Sequence, residues 1–155
     1  MNNIRNKSIS AGIKIEKMTR KDLPILFHFG KDQWKKSDWL TMEYLRSSFE
    51  QSGPSYVAKI GDDVVGGVIF VYEDIVRNWI RYLIINKKFR RQGVGTALLQ
   101  KIFEQMKSGE SIFVDTGVSD KDAINFYEKC GFKNRGMVKS LYGNEPAYFL
   151  EKTFN

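Results

Sequence analysis

Arg90-Arg91-Gln92-Gly93-Val94-Gly95-Thr96-Ala97 joins the most strand-like run of this chain to its best amphipathic helix, and the rest of the sequence is read outward from that joint. Upstream, Trp79-Ile80-Arg81-Tyr82-Leu83-Ile84-Ile85 is rich in β-branched and aromatic residues and ends in an apolar triplet, as a strand covered on both faces does. Downstream, Leu98, Leu99, Ile102, Phe103 and Met106 recur at helical spacing, with Gln100, Lys101, Glu104, Gln105 and Lys107 opposite them. A strand that enters a helix through two glycines leaves the first helical N–H groups unpaired and lets the backbone come close to a ligand. The summed peptide dipoles favour an anion at such a corner, and Arg90 and Arg91 add full positive charge.

The net charge of +7 gathers at the same place. Between residues 77 and 107 stand Arg77, Arg81, Lys87, Lys88, Arg90, Arg91, Lys101 and Lys107 against Glu104 alone, which accounts for the whole excess. A ligand bearing several phosphates suits that concentration. Nucleic acid is not expected as a partner, because neither interleaved basic and aromatic residues nor a recognisable reading module is visible.

A Walker-type loop would need Gly-Lys-Ser/Thr after its spacer, and a dinucleotide fingerprint would need a small residue at Leu98; both fail. Arg90-Arg91-Gln92-Gly93-Val94-Gly95 instead resembles, spacing for spacing, the Arg/Gln-x-x-Gly-x-Gly/Ala signature of the GCN5-related N-acetyltransferase (GNAT) superfamily. A second segment, Ala123-Ile124-Asn125-Phe126-Tyr127-Glu128-Lys129-Cys130-Gly131-Phe132, is similar to that family's A-x-x-F-Y-x-x-x-G-F motif. The resemblance runs from Trp79 to Phe132. It implies an α/β (α+β) fold: a central, mostly antiparallel mixed sheet of about six or seven strands, two splayed parallel strands at its middle, and about four helices.

The length of 155 residues fits one domain, expected over residues 13–155 behind a flexible polar leader, Met1–Gly12. No apolar run approaches the roughly 18 residues of a membrane span, so no membrane partner is expected. One Cys allows no internal disulfide and suits a reducing, cytoplasmic setting; with one His it leaves no metal cluster, and no metal is expected. Oligomeric state is not legible and leaves a homodimer open.

Ile13 to Met18 alternates as a half-buried first strand, and Thr19-Arg20-Lys21-Asp22 predicts a helix from about Arg20 into the Leu26–Phe29 region. A second helix is expected near Thr41. Gly53-Pro54 breaks the chain before two strands, Ser55–Ile60 and Val64–Tyr72, hinged at Gly61-Asp62-Asp63. A helix over Arg90–Met106, a strand over Ser111–Asp115 and a helix opened by Ser119-Asp120-Lys121-Asp122 follow, with Gly131 as its left-handed stop. Phe132–Val138 and Ala147–Lys152 are the closing strands.

The resemblance implies acetyl-coenzyme A as cosubstrate and an amine of a small molecule, peptide or protein as acceptor, with direct transfer in a ternary complex. The pyrophosphate is then expected at Arg90, Arg91, Gln92, Gly93, Val94, Gly95 and Thr96, and the thioester along Leu83, Ile84 and Ile85. Tyr127 becomes the acid for the departing thiolate, its phenol holding a proton at neutral pH against a thiol of lower pKa. The opposing reading of Tyr127 is a packed ring on a stripe with Ala123 and Cys130. Asp120 stands where the family often has Asn, which puts a pantetheine hydrogen bond in doubt, and Asn125 is the substitute. Trp34, Trp39 and Tyr44 fall in the segment that walls the family's acceptor cleft, although aromatics at helical spacing usually serve a core. Many members carry a basic Glu near the start of the central strand. Arg77-Asn78-Trp79 offers none, which leaves Glu73 and Asp74 just upstream, His28, or a water relay. A non-catalytic acyl-coenzyme A binding module is the alternative that this gap permits.

Overall fold

The computed structural model describes residues 12–51, 53–74, 77–142 and 145–155. The expected leader lies outside them except for Gly12, and so do Gly143 and Asn144. Seven strands form one sheet in the order β1-β2-β3-β4-β5-β7-β6. They are β1 (Ile13–Lys17), β2 (Tyr56–Ile60), β3 (Asp63–Tyr72), β4 (Arg77–Ile85), β5 (Ser111–Gly117), β6 (Lys133–Tyr142) and β7 (Glu145–Thr153). Among the described residues four α-helices accompany them: α1 (Leu23–Gln33), α2 (Met42–Glu50), α3 (Val94–Phe103) and α4 (Lys121–Lys129). The chain divides into two compact units, one of residues 1–71 and 81–105, the other of residues 72–80 and 106–155.

In the first unit β1 and β2 are antiparallel from Ile13↔Ile60 to Lys17↔Tyr56, and β2 and β3 are antiparallel with an irregularity at Ala58/Lys59. β3 is buried without a break from Val65 to Val71, the mark of a strand covered on both faces. Gly66 and Gly67 show what covers it. A Cβ on Gly66 would stand 3.3 Å from Val94 of α3, and one on Gly67 would stand 2.7 Å from Leu26 of α1. Successive residues of a strand face opposite ways, so the two glycines let one helix close on each side. The core on the α1 side joins Met18, Leu23, Leu26, Phe29, Leu40, Leu45, Val57, Ile69, Tyr82 and Ile84. On the other face, Val94, Leu98, Leu99 and Ile102 are the buried stripe of α3.

The helices start later than the sequence pattern suggests. Thr19 and Asp22 form the expected capping box, yet it closes a 3₁₀ turn over Arg20–Asp22, and α1 begins at Leu23 with Pro24 in its first turn. Proline is tolerated there because its missing N–H would have no partner. Likewise α3 begins at Val94 rather than Arg90, since Arg91 (φ 60°) and Gly93 (φ 87°) are left-handed and cannot continue a right-handed helix.

In the second unit β5 and β7 are antiparallel from Ser111↔Thr153 to Gly117↔Ala147, and β6 pairs with β7. β4 and β5 pair in parallel from Arg77↔Ser111 to Trp79↔Phe113. Asn78 is buried there, and its amide donates to the Ser111 carbonyl at 3.3 Å. α4 ends as foreseen at Gly131 (φ 94°): the Phe132 N–H donates to the Tyr127 carbonyl at 3.0 Å and the Gly131 N–H to that of Glu128 at 3.0 Å, a Schellman pair. That stop turns Phe132 into the core, and β6 begins one residue later than the sequence suggests.

Candidate active site

The phosphate corner is assembled wholly within the first unit. β4 leaves its buried Ile84 and half-buried Ile85, and the Asn86 N–H donates to the Val65 carbonyl at 2.8 Å. Asn86 also caps a 3₁₀ turn over Lys87–Phe89 by accepting from Lys88 N–H at 3.0 Å. Arg91 then adopts φ 60° and Gly93 φ 87°, and the second of these is the N-cap of α3. Glycine has no side chain to accept from the first-turn amides, so no N-cap side chain competes for them. Alternating handedness along such a loop turns successive N–H groups toward one point, a concavity that binds anions. Val94, Gly95 and Thr96 form the first turn of α3, with Val94 buried and Thr96 exposed. Gln92 donates to the Lys88 carbonyl at 3.2 Å, while its buried Oε1 accepts no hydrogen bond from the described residues.

Arg90 bonds to two elements of the first unit. Its Nε donates to the Ile85 carbonyl at 3.1 Å and its guanidinium to Oε1 of Gln33 at 2.7 Å. Lys87 pairs with Asp32 at 3.3 Å, and this holds the Asp32 carboxyl below the usual carboxylate range.

Trp34, Trp39 and Tyr44 also belong to the first unit, and the structure brings them together. Trp34 lies 5.3 Å from Trp39 and 5.7 Å from Tyr82, and Trp39 lies 5.4 Å from Tyr44, ring centre to ring centre. The Tyr44 hydroxyl donates to the Arg81 carbonyl at 3.0 Å. All three rings are half-buried and pack against the α1-side core, so they form a wall that rests on that core and retains some open surface.

Tyr127 belongs to the second unit. It is buried between Phe126 and Phe132, each with its ring centre 5.3 Å away. Burial, with the negative charges of Asp115 and Asp120 nearby, pushes its phenol well above the ordinary value. Asp120 is the N-cap of α4 and accepts from the Ala123 N–H at 3.1 Å, so its carboxylate already serves the helix. Asn125 stands two residues from Tyr127, on another face of α4. It lines a shallow groove of about 320 Å³ with Lys121, Glu128, Asn134 and Tyr148, and Tyr127 is not among the lining residues.

The carboxylates offered as bases are engaged. Glu73 accepts from the indole N–H of Trp79. Asp74 accepts from Arg77 three times: from the guanidinium twice at 2.6 Å and from the backbone N–H at 2.7 Å. The carboxylate that sequence reasoning passed over is Asp115. It is half-buried on β5, and its charge acts on Tyr127. Its cross-strand partner is Phe149, so it shares a face with Phe113 and with Trp79, which stacks on both rings at 5.3 and 5.8 Å. The buried Ile112, Val114 and Thr116 alternate with this face. Alternation alone puts Asp115 outside the core and gives no reason to single it out.

The sequence pattern of the acetyltransferase (GNAT) family matches residues 18–132. The chain belongs to that family. An N-alpha-acetyltransferase of Sulfurisphaera tokodaii is 26% identical over 162 residues, covering 95% of this chain and 90% of that protein. Ard1 from Thermoplasma volcanium has the same fold, with a TM-score of 0.80 at 21% identity over 93% of this chain and 99% of that one. Arabidopsis thaliana Naa50, solved with the bisubstrate analogue CoA-Ac-MVNAL, gives 0.76 at 20% identity over 92% and 99%. This GNAT protein is an N-acetyltransferase. Among the described residues no helix is long and apolar enough to cross a membrane.

Proposed function

We propose that this N-acetyltransferase takes its acetyl group from acetyl-coenzyme A and hands it directly to the free α-amine of a peptide or protein, both substrates being bound together. The helix start at Gly93 carries the coenzyme half of the reading, because a left-handed glycine N-cap among cations presents amides with no competing side chain. The acceptor half is supported by the relative named as an N-alpha-acetyltransferase and by the neighbour solved with an acetylated peptide analogue of coenzyme A.

Coenzyme A supplies an activated thioester. The amides from Arg91 to Thr96 hold its pyrophosphate, and those of Leu83, Ile84 and Ile85 line its thioester. Asp115 accepts a proton from the incoming ammonium, and Tyr127 holds a proton at its phenolic oxygen for the departing sulfur. Burial raises the phenol, so Tyr127 carries its proton at neutral pH.

The experiment is thiol release from acetyl-coenzyme A with polyamines, amino acids, aminoglycosides and peptides. Release with free peptide N-termini and none with the same peptides blocked at the α-amine is expected. Release confined to polyamines or aminoglycosides overturns the acceptor class. Coenzyme binding without release from any amine overturns the reaction.

A further inference from the structure

Arg90 is held from two sides. Its Nε meets the carbonyl of Ile85, the last residue of β4, at 3.1 Å, and its guanidinium meets the side-chain oxygen of Gln33, the last residue of α1, at 2.7 Å. Lys87 and Asp32, at 3.3 Å, tie the same loop to the same helix end. Immediately after Arg90 comes Arg91 with φ 60°, the only non-glycine residue of positive φ among the described residues. A left-handed residue with a side chain is strained and persists where its surroundings over-determine it. Here the neighbour on its N-terminal side is clamped and the one on its C-terminal side, Gln92, is anchored to the Lys88 carbonyl.

We propose that Gln33 is a positioning residue for the phosphate corner, holding Arg90 as a clamp so that Arg91 stays left-handed and the following amides converge. The inference rests on reading that corner as the coenzyme site. It assigns Arg90 a role other than phosphate ligand and gives α1 a part in coenzyme binding. It also links the corner to the aromatic wall, since the next residue is Trp34. The Trp34 N–H closes α1 on the Gly30 carbonyl at 2.8 Å, and its ring packs on Tyr82.

The test is calorimetric titration of coenzyme A into the full chain and its variants, with melting temperatures measured on each. Gln33→Leu is expected to weaken binding about three- to tenfold with little change in melting temperature, since exposed pairs add little to global stability. Gln33→Glu keeps an acceptor facing Arg90 and should restore binding. Gln33→Leu combined with Arg90→Leu should bind no more weakly than Arg90→Leu alone, because both remove one clamp. Equal affinity of wild type and Gln33→Leu, or losses that add in the double variant, overturns the clamp while leaving the coenzyme site intact. If the wild type itself does not bind coenzyme A, the reading of the corner falls, and the clamp with it.

Discussion

Trp79 gives its indole N–H to the carboxylate of Glu73, so the acid just before β4 is committed to a side-chain partner. Asp74 is committed more heavily still, to both the side chain and the backbone of Arg77. Asp115 and Asp120 are the carboxylates of this unit whose charges reach Tyr127, and Asp120 already caps α4, which leaves Asp115 as the proposed base. Glu73→Gln keeps an oxygen facing the indole and should leave kcat near wild type. Asp115→Asn removes a proton acceptor of similar shape, and kcat should fall by about 10²–10⁴, the usual worth of general acid–base catalysis. Steady-state kinetics on the two variants decides between them: a large loss in Glu73→Gln with full activity in Asp115→Asn reverses the assignment.

Gly93 is left-handed at φ 87° and opens α3. Valine there would be strained by its β-branch and would set bulk where the proposed coenzyme phosphate approaches. Gly93→Val should therefore abolish coenzyme A binding in calorimetry. Because the N-cap position is exposed, the far-UV spectrum should stay near wild type. Unchanged affinity would remove the corner from the site.

The joint of β4 and α3 was legible because its signal is local: a strand, two glycines and a helix lie within a short span. The Gly131 stop was legible for the same reason, since a helix end is written in neighbouring residues. The ring stack of Trp79 on Phe113 and Phe149 was not, because it depends on the register of three strands, and nothing near Trp79 encodes that register. The side-chain partner of Arg90 was not legible for a related reason. Gln33 lies 57 positions away.

Tyr82 donates its hydroxyl to the Leu26 carbonyl at 2.7 Å inside the α1-side core, and Gly30 makes the room. A Cβ at Gly30 would lie 2.1 Å from the Tyr82 oxygen and 2.7 Å from Leu40. Gly30→Ala gains about 1 kcal/mol of helix propensity. Against that stand an overpacked core, costing about 1–3 kcal/mol, and a lost hydrogen bond of about 1 kcal/mol. The net should be a loss of roughly 1–3 kcal/mol, seen as a melting temperature lower by about 2–10 °C in a chain of this size. A melting temperature at or above wild type would mean that Tyr82 can vacate its site without loss.

Tyr127 joins stability to chemistry through one proton. Burial first, then Asp115, Asp120 and Cys130, raise its phenol, so the neutral form is the one the fold favours. A raised pKa contributes stability that is fully present below the unfolded value of about 10 and is lost as pH climbs beyond it. Wild type should therefore lose stability as pH rises above about 10, and Tyr127→Phe, which has no proton to lose there, should lose less. For the same reason Tyr127 should put no alkaline limb on the kcat profile below about pH 10. At neutral pH Tyr127→Phe keeps the ring between Phe126 and Phe132 and removes only the donor. If that donor serves the departing thiolate, kcat falls by about 10²–10⁴ while coenzyme affinity hardly changes. A ring that only packs would show a stability loss of about 1 kcal/mol and full turnover. Melting curves at pH 8 and pH 11, read beside kcat for the same variant, separate the two roles, and full activity in Tyr127→Phe would leave the thiolate's proton to another donor.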